Sequence, residues 1–117
     1  MEYKIPATPH DFYYKYLTYI KGMLDLSTKE RMVLGEFMKI QEHLVQKEYD
    51  TSPFSSDNRK LVQKSLKMSS YSVNNYIKTF RVKRVVIGQE DNLIIHKAII
   101  PKVEEGKYTV AFNFTIT

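Results

Sequence analysis

With 117 residues, of which 43% are hydrophobic and 26% charged, the chain has the size and composition of one soluble globular domain. A domain of this length buries about two thirds of the surface its unfolded form exposes, so it folds without staples. There are no cysteines, which excludes disulfides and thiolate metal sites, and no apolar run approaches the roughly 20 residues that span a bilayer, so no membrane partner is expected. The start, M-E-Y-K-I-P, has no apolar core of the kind a secretory signal needs, and a cytoplasmic location is the expectation.

Residues 1–10 contain Pro6 and Pro9, which lack amide donors and restrict their neighbours, and are expected to form an extended arm. Asp11 is positioned to cap a helix over residues 11–25. Phe12, Tyr16, Tyr19, Ile20 and Met23 fall on one face of it, and Tyr13, Leu17, Ile20 and Leu24 on an adjoining one. A helix apolar over so much of its circumference must be covered, either by its own domain or by a second copy of the chain. Leu26-Ser27-Thr28-Lys29-Glu30 is a capping box, in which the Ser27 hydroxyl accepts from the amide of Glu30 while Glu30 reaches back to the amide of Ser27. Val33, Phe37, Ile40 and Leu44, with Leu34, Met38 and Val45 beside them, define the inner face of the helix that follows, to about residue 47. Gly35 within it marks a close helix contact. The loop K-E-Y-D-T-S-P-F-S-S comes next, and Ser55 or Ser56 caps a short helix through Leu61, Val62 and Leu66.

The stretch Leu66 to Ile77, L-K-M-S-S-Y-S-V-N-N-Y-I, combines a helix end at Leu66, an apolar plug at Met68 and a cap at Ser69 or Ser70. The helix that starts there runs to about Val82, with Val73, Tyr76, Ile77 and Phe80 inward and Tyr71, Ser72, Asn74, Asn75, Lys78, Thr79 and Arg81 around the outer arc. That arc holds no acid. Two β-rich runs then follow, Val85 to Ile87 and Leu93 to Ile100, about a polar turn at Gly88 to Asn92, which predicts a hairpin. A last run, Lys107 to Thr117, carries Tyr108, Val110, Phe112, Phe114 and Ile116 in alternation, after a turn at E-E-G.

Positive charge is concentrated in one place. Residues 1–53 carry seven Lys and Arg against eight acids, and residues 88–117 three against four. Residues 54–87 hold Arg59, Lys60, Lys64, Lys67, Lys78, Arg81, Lys83 and Arg84 against Asp57 alone. A charge run by itself is as often a solvated face as a binding site. Its coincidence with the helical stretch just described favours a phosphate-binding surface.

Leu66, Met68, Ser69, Ser72, Val73, Tyr76 and Ile77 fall in the register of the helix-turn-helix motif, and with the hairpin behind them the chain resembles the winged helix-turn-helix family over residues 27–100 at least. Two positions depart from the usual pattern: Lys67 stands where a glycine is common, and Gln63 where a small residue is. The resemblance implies an α+β, mainly α fold. It would be a single domain over 1–117, with an extra N-terminal helix at 11–25, a three-helix core at 27–82, and a wing with a small antiparallel sheet at 84–117. It also implies a small transcriptional regulator that reads double-stranded DNA with the helix from Ser70. Ser69, Ser70, Tyr71, Ser72, Asn74, Asn75, Lys78, Thr79 and Arg81 would face the major groove, and Lys83, Arg84 and the wing the flanking phosphates. A homodimer through the aromatic first helix would be a common arrangement for such a regulator.

The same fold also serves as a protein-docking module in replication, polymerase-accessory or virion-associated assemblies, with Tyr71 and the first helix as partner contacts. Single-stranded nucleic acid would want exposed aromatics amid positive charge, and Tyr71 is the one candidate. An enzyme is not expected. His10, His43 and His96 are dispersed, with His43 on a polar helix flank and His96 in a strand, and there is no glycine-rich phosphate loop or nucleophile elbow. No cofactor or metal is implied.

Overall fold

The structure is a computed structural model that describes Thr8 and residues 11–20, 24–104 and 107–109. It is mainly helical with small antiparallel strand pairs, in the order α1 (Phe12–Tyr19), α2 (Thr28–Gln46), α3 (Ser56–Leu66), α4 (Ser70–Val82), β1 (Val86–Gln89), β2 (Asn92–Ile95), β3 (Lys102–Glu104) and β4 (Lys107–Thr109). The expected arm at 1–10 lies, apart from Thr8, outside the described residues, as do Met23 and the last run from Val110 onward.

Local hydrogen bonding sets the helix starts. Ser27 accepts from the Glu30 amide at 3.2 Å and Glu30 from the Ser27 amide at 2.9 Å, so the expected capping box is formed. Of the paired serines, Ser55 caps α3 and Ser69 caps α4, each accepting from the amide three residues on. At α1 the expectation fails. Asp11 makes no side-chain cap; its Oδ1 instead accepts from the Thr8 amide at 2.7 Å and the Thr8 hydroxyl at 2.9 Å, and the Thr8 hydroxyl accepts from the Asp11 amide at 3.3 Å. The reciprocal box thus begins at Thr8, because a Thr with an acid three residues later satisfies two amides where a lone Asp satisfies one.

Tyr13, Tyr16 and Leu17 of α1, with Ile20 just after it, are buried within the chain's own core. Gly35 lets α1 lie close on α2: a Cβ there would sit 3.4 Å from the Tyr14 backbone nitrogen, which is the close contact its sequence position implied. Tyr13 donates to Glu42 at 2.9 Å, and the buried Tyr16 hydroxyl donates to the Ile99 carbonyl at 2.6 Å, tying α1 to α2 and to the segment after β2. Behind α1, Phe37 packs on Phe54 with ring centroids 4.5 Å apart, and Val33, Leu34, Val62, Val73 and Phe80 complete a core that continues into Val86, Leu93 and Ile95.

β1 and β2 pair in the register Val86↔Ile95, Ile87↔Ile94, Gly88↔Leu93 and Gln89↔Asn92, leaving Glu90 and Asp91 as a two-residue turn. Gly88 takes φ +109°, and a Cβ on it would lie 2.8 Å from the Asn92 carbonyl oxygen, so only glycine fits. The second run is shorter than its apolar sequence suggests. It leaves the strand at His96, whose Nδ1 accepts from the Ala98 amide at 3.0 Å and caps a 3₁₀ turn at Lys97–Ile99. His96 is therefore a cap and not a strand residue. β3 and β4 form a separate antiparallel pair, Lys102↔Thr109 to Glu104↔Lys107.

Candidate nucleic-acid interface

Three residues, Lys67 to Ser69, join α3 to α4. Lys67 adopts φ 53° and ψ 48°, the left-handed conformation a glycine would take, and the Met68 amide returns to the Gln63 carbonyl at 2.9 Å. Lys67 thus takes the left-handed backbone that its sequence position called for, without a glycine.

With a helical period of about 3.6 residues, Val73, Ile77 and Phe80 point into the core, and Tyr71, Asn75, Lys78 and Val82 form the opposite stripe. All four of these are exposed, Tyr71 by 75% and Val82 by 82%. Asn74 and Arg81 lie on one flank of the stripe, Ser72 and Thr79 on the other. The helix carries no acid in its first turn.

The remaining candidates divide by what they already hold. Ser69 spends its hydroxyl on the Ser72 amide and on Ser72 Oγ, both at 3.1 Å, and Thr79 donates to the Asn75 carbonyl at 3.1 Å. Asn74 Oδ1 accepts from Arg59 Nη1 at 3.0 Å, while Arg59 Nε donates to the Phe54 carbonyl at 2.7 Å. Arg81 pairs with Glu90 at 2.5 Å. Lys83 is turned away altogether. Its ammonium donates to the Asp25 carbonyl and to both Glu30 oxygens, at 3.1 and 3.3 Å, at the start of α2. It is a structural tie, not a free phosphate contact. Ser70, Tyr71, Asn75, Lys78 and Arg84 remain exposed, with no side-chain hydrogen bond or ion pair to another described residue, and Lys60 and Lys64 on α3 and Lys67 in the turn are equally free.

The hairpin expected to meet flanking phosphates carries no cation of its own. Residues 85–96 hold no Lys or Arg, and the hairpin tip is Glu90-Asp91. Those two carboxylates face an open groove whose other walls include Ser56, Arg59 and Lys60 of α3 and Ser70 and Asn74 of α4. In sequence the tip is a polar turn like any other, and only the fold sets its two acids against α3 and α4.

Arg31 was passed over as well. It is buried on α2, donates to the Leu26 carbonyl at 2.7 Å and to Thr28 at 3.3 Å, and lies 6.0 Å from the centre of the Tyr14 ring. Among the described residues no group of three His, Cys, Asp or Glu converges to hold a metal ion, and no helix is long and apolar enough to cross a membrane. Comparison with protein-family models, curated proteins and solved structures gives no match to this chain.

Proposed function

We propose that the chain is a winged helix-turn-helix protein that binds double-stranded DNA sequence-specifically, as a small transcriptional regulator acting in the cytoplasm, with α4 in the major groove. The observation that carries this reading is the exposed stripe of Tyr71, Asn75 and Lys78. It stands opposite the core and contains no acid, and the segments that flank it in sequence carry the exposed and unpaired Lys60, Lys64, Lys67 and Arg84. A major groove admits one α-helix, and amide, hydroxyl and cationic side chains are what read base edges and phosphates there. Without Lys83 and the hairpin, the phosphate contacts fall to α3, Lys78 and Arg84. A second copy of the chain meeting α1 would find Tyr14 and Tyr19, since the rest of that helix's apolar surface is turned into its own domain.

The test is a fluorescence-anisotropy titration on mixed-sequence duplex across a salt series, followed by selection from a random duplex pool. Four neutralised phosphates give a slope of log K against log salt of about −3.6, at about 0.9 each. Absence of binding even at low salt would defeat the proposal.

The acidic tip of the hairpin favours a second reading, a docking module for a protein partner. Glu90 and Asp91 beside Arg59 and Lys60 make a surface of mixed sign, which suits a protein better than a polyanion, and Tyr71 and Val82 of α4 are exposed apolar bodies. Under this reading a co-purifying protein survives nuclease treatment and is lost when the outer face of residues 71–81 is changed.

A further inference from the structure

Resting on the DNA-binding reading, we propose that Glu90 is a gate on Arg81 that suppresses sequence-independent binding to duplex. Arg81 lies on the flank of the exposed α4 stripe, where it would meet a phosphate, yet its guanidinium is taken by a carboxylate 2.5 Å away. A carboxylate is the side chain that most resembles a phosphate to arginine, accepting the same charge-assisted hydrogen bonds. The two-residue turn places Glu90 at the hairpin tip, where its exposed side chain meets Arg81. Asp91 follows at once and lines the groove beside Asn74, so a phosphate entering there also meets a second negative charge within a Debye length.

A duplex that settles on α4 therefore exchanges carboxylate for phosphate at Arg81 and gains little at that position. Random DNA, which offers only its backbone, is held by the remaining lysines. A specific site loses the same phosphate contact and keeps its base contacts, so the ratio of specific to random binding is unchanged while the absolute affinity for random duplex falls.

The experiment measures mixed-sequence duplex binding by anisotropy at low and physiological salt for the full chain and for Glu90→Gln, Asp91→Asn, Arg81→Ala and the Arg81→Ala/Glu90→Gln double variant. These side chains are exposed, and circular dichroism confirms folding of each. Glu90→Gln is expected to tighten binding about five-fold at low salt, the scale of an exposed ion pair, and to steepen the salt slope by about 0.9 as Arg81 takes up a phosphate. Asp91→Asn should gain less than about two-fold, the screened effect of one nearby charge, and Glu90→Gln should gain nothing once Arg81 is absent. Equal gains from Glu90→Gln and Asp91→Asn, or a gain that persists in the Arg81→Ala background, would overturn the gate while leaving DNA binding intact. No binding by either the wild type or Glu90→Gln would overturn the DNA reading and the gate together. In the free protein the Arg81 Nε–Hε resonance should shift on Glu90→Gln but not on Asp91→Asn. An unmoved resonance would overturn the gate whatever DNA does.

Discussion

The Lys83 ammonium lies 3.1 Å from Glu30 Oε2 and joins the exit of α4 to the first turn of α2. The same carboxylate closes the Ser27 capping box, so one Glu organises a helix start and anchors the end of another. Lys83→Ala should therefore cost about 1 kcal/mol in urea denaturation, the range for a partly buried charge-assisted hydrogen bond. It should leave the slope of duplex binding against salt unchanged. Arg84→Ala, which removes an exposed and unpaired cation, should do the reverse: stability is held, and the slope becomes shallower by about 0.9.

Glu30 also sets a pH dependence. Burial pushes its carboxyl up, but hydrogen bonds from the Ser27 amide, from Lys83 and from the Ser27 hydroxyl, with the Lys83 charge, outweigh this and hold it below the ordinary value of 4.5. A carboxyl whose pKa is lower in the folded than in the unfolded chain binds its proton more readily after unfolding. Its stabilisation is fully present above the unfolded value and is lost as pH falls through the folded one. Denaturation midpoints should fall as the solution is taken below about pH 4.5, and Glu30→Gln should flatten part of that fall. Asp11 acts in the same direction, chiefly through its hydrogen bond from the Thr8 amide, so some slope should survive the substitution.

The turn at Lys67 gives a third expectation. A non-glycine residue at φ 53° carries a steric cost of about 1–2 kcal/mol, part of which glycine returns as unfolded-state entropy. Lys67→Gly should raise stability by up to about 1 kcal/mol, and the β-branched Lys67→Val should lower it by at least that much. Thermal unfolding of the two variants beside the wild type decides it. A destabilising glycine would mean that the Lys67 stem packs on the turn.

What was legible in the sequence was local. The Ser27 box, a serine cap at 55 or 56 and another at 69 or 70, and the span of α4 depend on residues within four positions of each other, and the apolar period fixes which face turns inward. The roles of the charged residues were not legible. Lys83 finds Glu30 53 positions away, Arg59 finds Asn74 15 positions away, and Arg81 of α4 finds Glu90 at the hairpin tip. Each pairing is decided by how helices and hairpin dock, which no spacing rule contains. The end of β2 at His96 is intermediate in kind. An apolar run continues to Ile100, but the strand ends in a 3₁₀ turn, where the His96 imidazole accepts from the Ala98 amide and the Ile99 amide returns to the His96 carbonyl.

Two adjacent asparagines on α4 differ for the same reason. A bidentate contact to adenine needs the amide oxygen to accept from N6 while the amide nitrogen donates to N7. The Asn74 oxygen already accepts from Arg59 at 3.0 Å, whereas the Asn75 side chain is exposed on the central stripe with no described partner. Asn75→Ala should therefore relax preference at one base pair of a selected site by about 1–3 kcal/mol and leave random duplex binding nearly unchanged. Asn74→Ala should instead release Arg59 and alter affinity for all sequences to a similar degree. Anisotropy on the selected site and on single-base variants of it separates the two. Equal effects of both substitutions on every sequence would reject base reading by Asn75 and return the α4 stripe to the protein-docking alternative.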